Sequence, residues 1–143
     1  VVYTPESTAR AHKIRNEKIN IVRQALKEPE IIGEKENDIL IVCWGSTRGT
    51  IKEAIQKLNQ DGLKASGLHF KMINPLPANI KQTLNRFKKV VSVELNYGDE
   101  NKPASLAMLL RSETLIDIQS ILTVPTGRPI KPVQVVSKIK EIA

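Results

Sequence analysis

Ile39-Leu40-Ile41-Val42-Cys43-Trp44 is the stretch that most constrains the fold. Six consecutive apolar residues leave no polar face, so a strand here must be covered on both sides. Gly45-Ser46-Thr47-Arg48-Gly49 follows directly, and then a helical pattern begins. A doubly buried strand that turns through glycines into a helix is the opening of a parallel α/β sheet.

The rest of the chain repeats that alternation. A helix is expected over about 50–61, with Ile51, Ala54, Ile55 and Leu58 as its buried face and Gly62 as its stop. A second strand spans about 64–73 and is broken by Asn74-Pro75-Leu76-Pro77. A helix over about 78–87 carries Ile80, Leu84 and Phe87. Lys89 to Leu95 reads as a third buried strand. Residues 102–112 read as a helix with Leu106, Leu109 and Leu110 inward, and 115–122 as a fourth strand. The loop Thr126-Gly127-Arg128-Pro129 precedes a last helix from Pro132 to Ile142. The expected fold is an α/β domain over 38–143, an open and mainly parallel sheet with helices on both faces. Its crossovers are expected to be right-handed.

Ahead of it, residues 6–27 read as an amphipathic helix between Pro5 and Pro29, with Ile14, Ile21, Val22, Ala25 and Leu26 as its apolar stripe. Residues 30–38 are polar and acidic and read as a linker. Residues 1–37 are therefore expected to be a helix and linker from a preceding domain. The stripe must be buried on this domain or on a neighbouring one.

Composition narrows the chemistry. A single cysteine, Cys43, cannot supply the runs that hold iron–sulfur clusters or structural zinc. No metal-ligand spacing occurs. No apolar run approaches the roughly 18 residues of a membrane span. The N-terminus shows no export signal and no initiator Met, so a cytoplasmic, excised or trimmed domain is expected. The net charge of +7 is spread thinly, with a local cluster at Lys81, Arg86, Lys88 and Lys89. With 3% aromatic residues, the interleaved aromatics of a nucleic-acid surface are missing, and no nucleic-acid partner is expected.

In open parallel sheets, ligands bind where the strands end at their carboxyl side. Gly45, Ser46, Thr47, Arg48, Gly49 and Thr50 fall there, as do Asn74–Pro77 and Asn96–Lys102, and the Thr126–Pro129 loop joins them as a fourth candidate. Two glycines, three hydroxyls and an arginine at a helix N-terminus suit an anion, which Arg48 would clamp. The loop is neither a P-loop nor a dinucleotide fingerprint. Its other reading is a tight turn with Ser or Thr as cap. Glu94, followed by Asn96, is either an acid or base or an acceptor for backbone donors of a neighbouring loop. Arg128 is a further strand-end candidate. His69 reads as a hydrogen-bonded structural group and His12 as a solvated one. Cys43 reads as an inert thiol, and Trp44 as a packing or interface residue.

Taken in order, these landmarks resemble one family. Val42-Cys43-Trp44-Gly45-Ser46-Thr47-Arg48-Gly49-Thr50-Ile51-Lys52-Glu53-Ala54 is similar to the first strand, loop and helix of the C-terminal domain in alpha subunits of 2-oxoacid:ferredoxin oxidoreductases. His69 with Ile73-Asn74-Pro75-Leu76-Pro77 resembles the second strand and its exit. Val91-Ser92-Val93-Glu94-Leu95-Asn96-Tyr97-Gly98 resembles the third, and Leu109-Leu110-Arg111 and Thr126-Gly127-Arg128-Pro129 follow in order. Pro5-Glu6 and the basic helix after it look like the segment joining this domain to a thiamine-binding domain.

The resemblance implies a domain like the transketolase C-terminal domain, which supports assembly and borders the active site. It implies thiamine diphosphate, magnesium and iron–sulfur clusters elsewhere in the enzyme and none in this chain. It also implies partners in the thiamine-binding domains of the alpha and beta subunits, with ferredoxin and coenzyme A used by the whole complex. Gly98-Asp99 is followed by Glu100 rather than Gly, so the superfamily's magnesium motif is absent, and no catalytic residue carries over. The rival reading is a free-standing α/β module that binds an anionic or phosphorylated ligand at Gly45–Thr50.

Overall fold

A computed structural model describes residues 4–143. The reading of Val1 to Tyr3 as lacking an export signal lies outside the described residues. Helix α1 (Pro5–Ala25) comes first, capped by Thr4, whose hydroxyl accepts from Ser7 N while Pro5 takes the first turn. Strands β1 (Ile31–Ile32) and β2 (Asn37–Trp44) follow, then helix α2 (Arg48–Gln60) and strand β3 (Ala65–Phe70). Helix α3 (Ile80–Leu84), strand β4 (Phe87–Glu94), helix α4 (Ser105–Thr114), strand β5 (Ile118–Thr123) and helix α5 (Pro132–Ile142) complete the order.

The sheet runs β1-β3-β2-β4-β5. Four strands are parallel, and β1 alone is antiparallel, pairing Ile31 with Leu68 and Ile32 with Gly67. Residues 30–38 are thus not wholly a linker. Two isoleucines in that polar stretch close the sheet's edge, which shields β3 from open pairing.

Alternation along the buried strands feeds two cores. Ile39, Ile41 and Cys43 face α2 and α5, meeting Ile51, Ile55, Leu58, Val135 and Ile139. Leu40 and Val42 face the other way, meeting Ile80, Leu84, Leu106 and Leu110 of α3 and α4. Helices therefore cover both faces, as the unbroken apolar runs require. Each such side chain contributes about 1.5–3 kcal/mol on burial. Helix α2 lies close against β3 because Gly67 has no side chain. A Cβ there would meet Ile55 Cδ1 at 2.5 Å and Ile51 Cγ2 at 3.0 Å.

Several boundaries differ from those read in the sequence. Helix α3 is only five residues long, because Asn74 to Asn79 is taken up by a loop with a cis Asn74–Pro75 peptide. Phe87 belongs to β4 rather than to the helix before it. Helix α4 begins three residues later than expected, at Ser105, and runs to Thr114. Strand β5 begins at Ile118 rather than 115, because Leu115 caps α4 in the left-handed region with φ 59°.

Helix α1 buries no residue. Two glutamates hold the chain after it. Glu28 accepts from Thr83 Oγ1 at 2.7 Å and pairs with Arg86 at 2.9 Å, and Glu30 pairs with Arg48. Arg23 reaches Glu113 of α4 at 3.8 Å.

Candidate functional site

The chain leaves β2 through α2 to β3 on one side, then returns through α3 to β4 on the other. The crevice between β2 and β4, at their carboxyl ends, is therefore the topological switch point where such sheets bind ligands. Trp44 and Glu94 stand there.

Glu94 is fully buried. Its carboxylate accepts from Leu106 N at 2.8 Å and Ala107 N at 3.1 Å, and from Trp44 Nε1 at 3.3 Å. It thus satisfies two of the free amides at the start of α4, where a negative charge also meets the positive end of the helix dipole. Of its two sequence readings, the geometry matches the acceptor for backbone donors. An acid or base would need a substrate-facing oxygen, and both oxygens are engaged inside the fold.

Of the expected Gly45–Thr50 loop, only Gly45–Thr47 make a tight turn, because α2 already begins at Arg48, two residues earlier than expected. Gly45 takes φ 64°, which lets the chain leave β2 sharply. Thr47 Oγ1 donates to Trp44 O at 2.8 Å, and Thr50 Oγ1 donates to Ile130 O at 3.0 Å, tying this loop to the chain just after the Thr126–Pro129 loop. Gly45 O accepts from His69 Nε2 at 2.9 Å, which leaves His69 Nδ1 as a buried acceptor with no partner among the described residues. Neither Ser46 nor Thr47 caps α2 through its side chain. Arg48 is engaged too. Its Nη2 donates to both carboxylate oxygens of Glu30, at 3.0 and 2.8 Å. That guanidinium holds the Glu30 carboxyl below its ordinary value. The position at which Arg48 was expected to take an external anion thus holds the chain's own carboxylate.

Arg128 is exposed in its loop. Asn96 is half-buried, and its Oδ1 has no partner among the described residues. Burial pushes the Cys43 thiol up to about 11, which fits an inert side chain. His12 is exposed. Of the basic cluster, Arg86 pairs with Glu28, Lys88 with Asp38 at 2.7 Å, and Lys89 donates to Ile142 O.

A cleft of about 320 Å³ lies between the segment after α1 and the end of β3, lined by Leu26, Pro29, His69, Lys71, Met72 and Pro77. Among the described residues, no group of three His, Cys, Asp or Glu is placed to hold a metal ion. Asp99, the acid of the incomplete magnesium motif, does not fit that role. Its carboxylate accepts from Tyr97 Oη at 2.6 Å and from the amides of Asn101 and Lys102, contacts that hold it below its ordinary value. No helix among the described residues is long and apolar enough to cross a membrane.

The fold is that of a mostly parallel α/β domain whose switch point holds a contact between two of its own side chains, Trp44 and Glu94. Residues 37–139 match the family described as pyruvate:ferredoxin oxidoreductase core domain II, and the chain belongs to that family. The 2-oxoglutarate oxidoreductase subunit KorA of Mycobacterium tuberculosis is 34% identical over 87% of this chain and 18% of its own length. Subunit alpha of 2-oxoacid:ferredoxin oxidoreductase 2 from Aeropyrum pernix is 29% identical over 90% of this chain and 20% of its own. The chain thus spans about a fifth of the length of these relatives.

Among solved structures, a 2-oxoglutarate:ferredoxin oxidoreductase from Magnetococcus marinus, with 2-oxoglutarate, coenzyme A and succinyl-CoA bound, superposes with a TM-score of 0.83 at 34% identity, covering 98% of this chain and 24% of that one. A split-gene transketolase shares the fold alone, with a TM-score of 0.58 at 17% identity over 81% of this chain and 42% of that one. The transketolase-like architecture expected from the sequence is the one observed.

The sequence did not disclose Glu30 as the partner of Arg48. Glu30 lies 18 residues away in a stretch without periodicity. The carboxylate–indole contact was open to sequence reasoning only as two residues ending neighbouring strands.

Proposed function

We propose that this chain is the assembly domain of a thiamine-diphosphate-dependent 2-oxoacid:ferredoxin oxidoreductase alpha subunit, and that it is inactive alone. The whole enzyme would convert a 2-oxoacid, coenzyme A and oxidised ferredoxin into acyl-CoA, carbon dioxide and reduced ferredoxin, in the cytoplasm. The family match across residues 37–139 carries the reading. The side chains support it, because Glu94, Thr47, Thr50 and Arg48 are spent on the domain's own backbone and ion pairs. Thiamine diphosphate, magnesium and the clusters would be held by the thiamine-binding domains and by other parts of the complex. A free-standing anion-binding module is disfavoured by the Glu30 carboxylate on Arg48.

The test is immunoprecipitation from source cells with antibody against this domain. The precipitate should reduce viologen in a reaction that needs both a 2-oxoacid and coenzyme A, while the purified chain should not. Turnover by the purified chain alone, or a precipitate without activity, would overturn the reading.

A further inference from the structure

The segment after α1 closes one side of the cleft of about 320 Å³ at the end of β3. Two ion pairs pin that segment, Glu28 on Arg86 and Glu30 on Arg48. Leu26 and Pro29 line the cleft from the pinned segment, and Met72 and Pro77 line it from the chain after β3. The volume sits at the lower end of the roughly 300–1,000 Å³ of small-molecule pockets, so its occupant is small.

His69 lines the same cleft and is only 9% exposed. Its Nε2 meets Gly45 O at 2.9 Å, an oxygen that can only accept, so Nδ1 is an acceptor with no donor among the described residues. A buried acceptor without a donor is costly, and the sheet supplies none. Lys27 and Lys71 also line the cleft. Both are exposed, and neither has a hydrogen bond or ion pair with a described residue. The two carboxylates at the cleft are already taken, since Glu28 binds Arg86 and Thr83 and Glu30 binds Arg48.

We propose that this cleft binds a small hydroxy carboxylate with an aliphatic body. The carboxylate meets Lys27 and Lys71, the hydroxyl donates to His69 Nδ1, and the aliphatic carbons cover Leu26, Pro29, Met72 and Pro77. Charge excludes an amine, whose ammonium would meet two free cations while both carboxylates are committed to arginines. The unmet acceptor separates a hydroxy acid from a plain or oxo acid of the same shape, which brings no donor. The inference goes beyond the assembly role proposed above and does not depend on it.

The test is NMR titration of the purified 143-residue chain with hydroxyisocaproate, followed at the Met72 methyl and the His69 ring nitrogens. Both should shift, with half-saturation at about 1 mM or below. Isocaproate and ketoisocaproate keep the carboxylate and the branched chain but lack the hydroxyl, and should bind about tenfold more weakly. Lys27→Gln/Lys71→Gln, at two exposed positions outside both cores, should weaken hydroxyisocaproate about fivefold or more, with a matching far-UV spectrum as the check on folding. His69 itself is left unaltered, because its bond to Gly45 supports the turn after β2. No shift at Met72 or His69 up to about 10 mM would overturn the proposal. Equal binding of the acids with and without the hydroxyl, or undiminished binding by the lysine variant, would also overturn it.

Discussion

The indole N–H of Trp44 meets the carboxylate of Glu94 at 3.3 Å across the junction of β2 and β4, the place where open parallel sheets ordinarily leave room for a ligand. The same carboxylate takes two amides from the start of α4. One buried charge thus joins two central strands to the helix that covers them.

Glu94→Ala leaves three donors without their acceptor, two of them buried amides. Hydrogen bonds to a charged group are worth about 1.5–3 kcal/mol each, so the unfolding free energy should fall by about 3 kcal/mol or more. Glu94→Gln keeps one acceptor oxygen and should cost about half as much. Urea titration followed by the emission of Trp44, the chain's one tryptophan, measures both. A loss below about 1 kcal/mol for Glu94→Ala would show that the carboxylate is not holding α4.

Cys43 is fully buried in β2, and burial raises its thiol to about 11. The thiolate is the reactive form, so at pH 8 an aromatic disulfide reagent should modify the native protein orders of magnitude more slowly than the unfolded one. The rate should follow the opening of the domain and slow further when stability rises. Rapid modification of the native protein would mean that the β2 core is accessible.

The central strands were legible because they are buried on both faces. Ile39–Cys43 and Val90–Val93 have no polar alternation to misread. What escaped was set by contacts distant in sequence. Ile31-Ile32 is too short to show a period and becomes a strand only because β3 offers it an edge. Leu115 looks like the start of a strand, yet it is 86% exposed and caps α4. The apolar stripe of α1 was plain, but its direction was not. That depends on Asn16, Asn20 and Arg23 facing the domain instead. The segment after β2 was expected to be a loop as far as Thr50, but α2 begins at Arg48, and the use of Arg48 was hidden, since nothing local marks Glu30 as its partner.

Gly67 sets the spacing of α2 over β3. A methyl group there would press on Ile55 Cδ1 and Ile51 Cγ2, both inside a filled core. Ile55 Cδ1 is the end of a flexible side chain, but it has little room to rotate away. Gly67→Ala should therefore destabilise the domain by about 1–3 kcal/mol. Gly67→Ala/Ile55→Val removes the clashing carbon and should recover part of the loss. A Gly67→Ala variant as stable as the parent would place α2 farther from the sheet than observed.

The Glu30–Arg48 pair is half-exposed, at 58% and 42% of the two side chains, so it positions the chain ahead of β1 more than it stabilises the domain. Its pH dependence has a definite sign. Arg48 holds the folded Glu30 carboxyl below the 4.5 of a free one. The pair's contribution is then fully present above that value and is lost as pH falls through the lower folded value. Arg48→Ala should raise the Glu30 titration midpoint toward 4.5, as read from its side-chain carbonyl carbon by NMR. High salt should move the parent protein the same way, since the pair faces solvent. Inorganic phosphate competes with Glu30 for one guanidinium. Added at constant ionic strength, it should therefore raise the Glu30 midpoint only if it displaces the carboxylate. An unchanged midpoint in phosphate, with the expected rise in Arg48→Ala, would establish that the loop's arginine serves the fold.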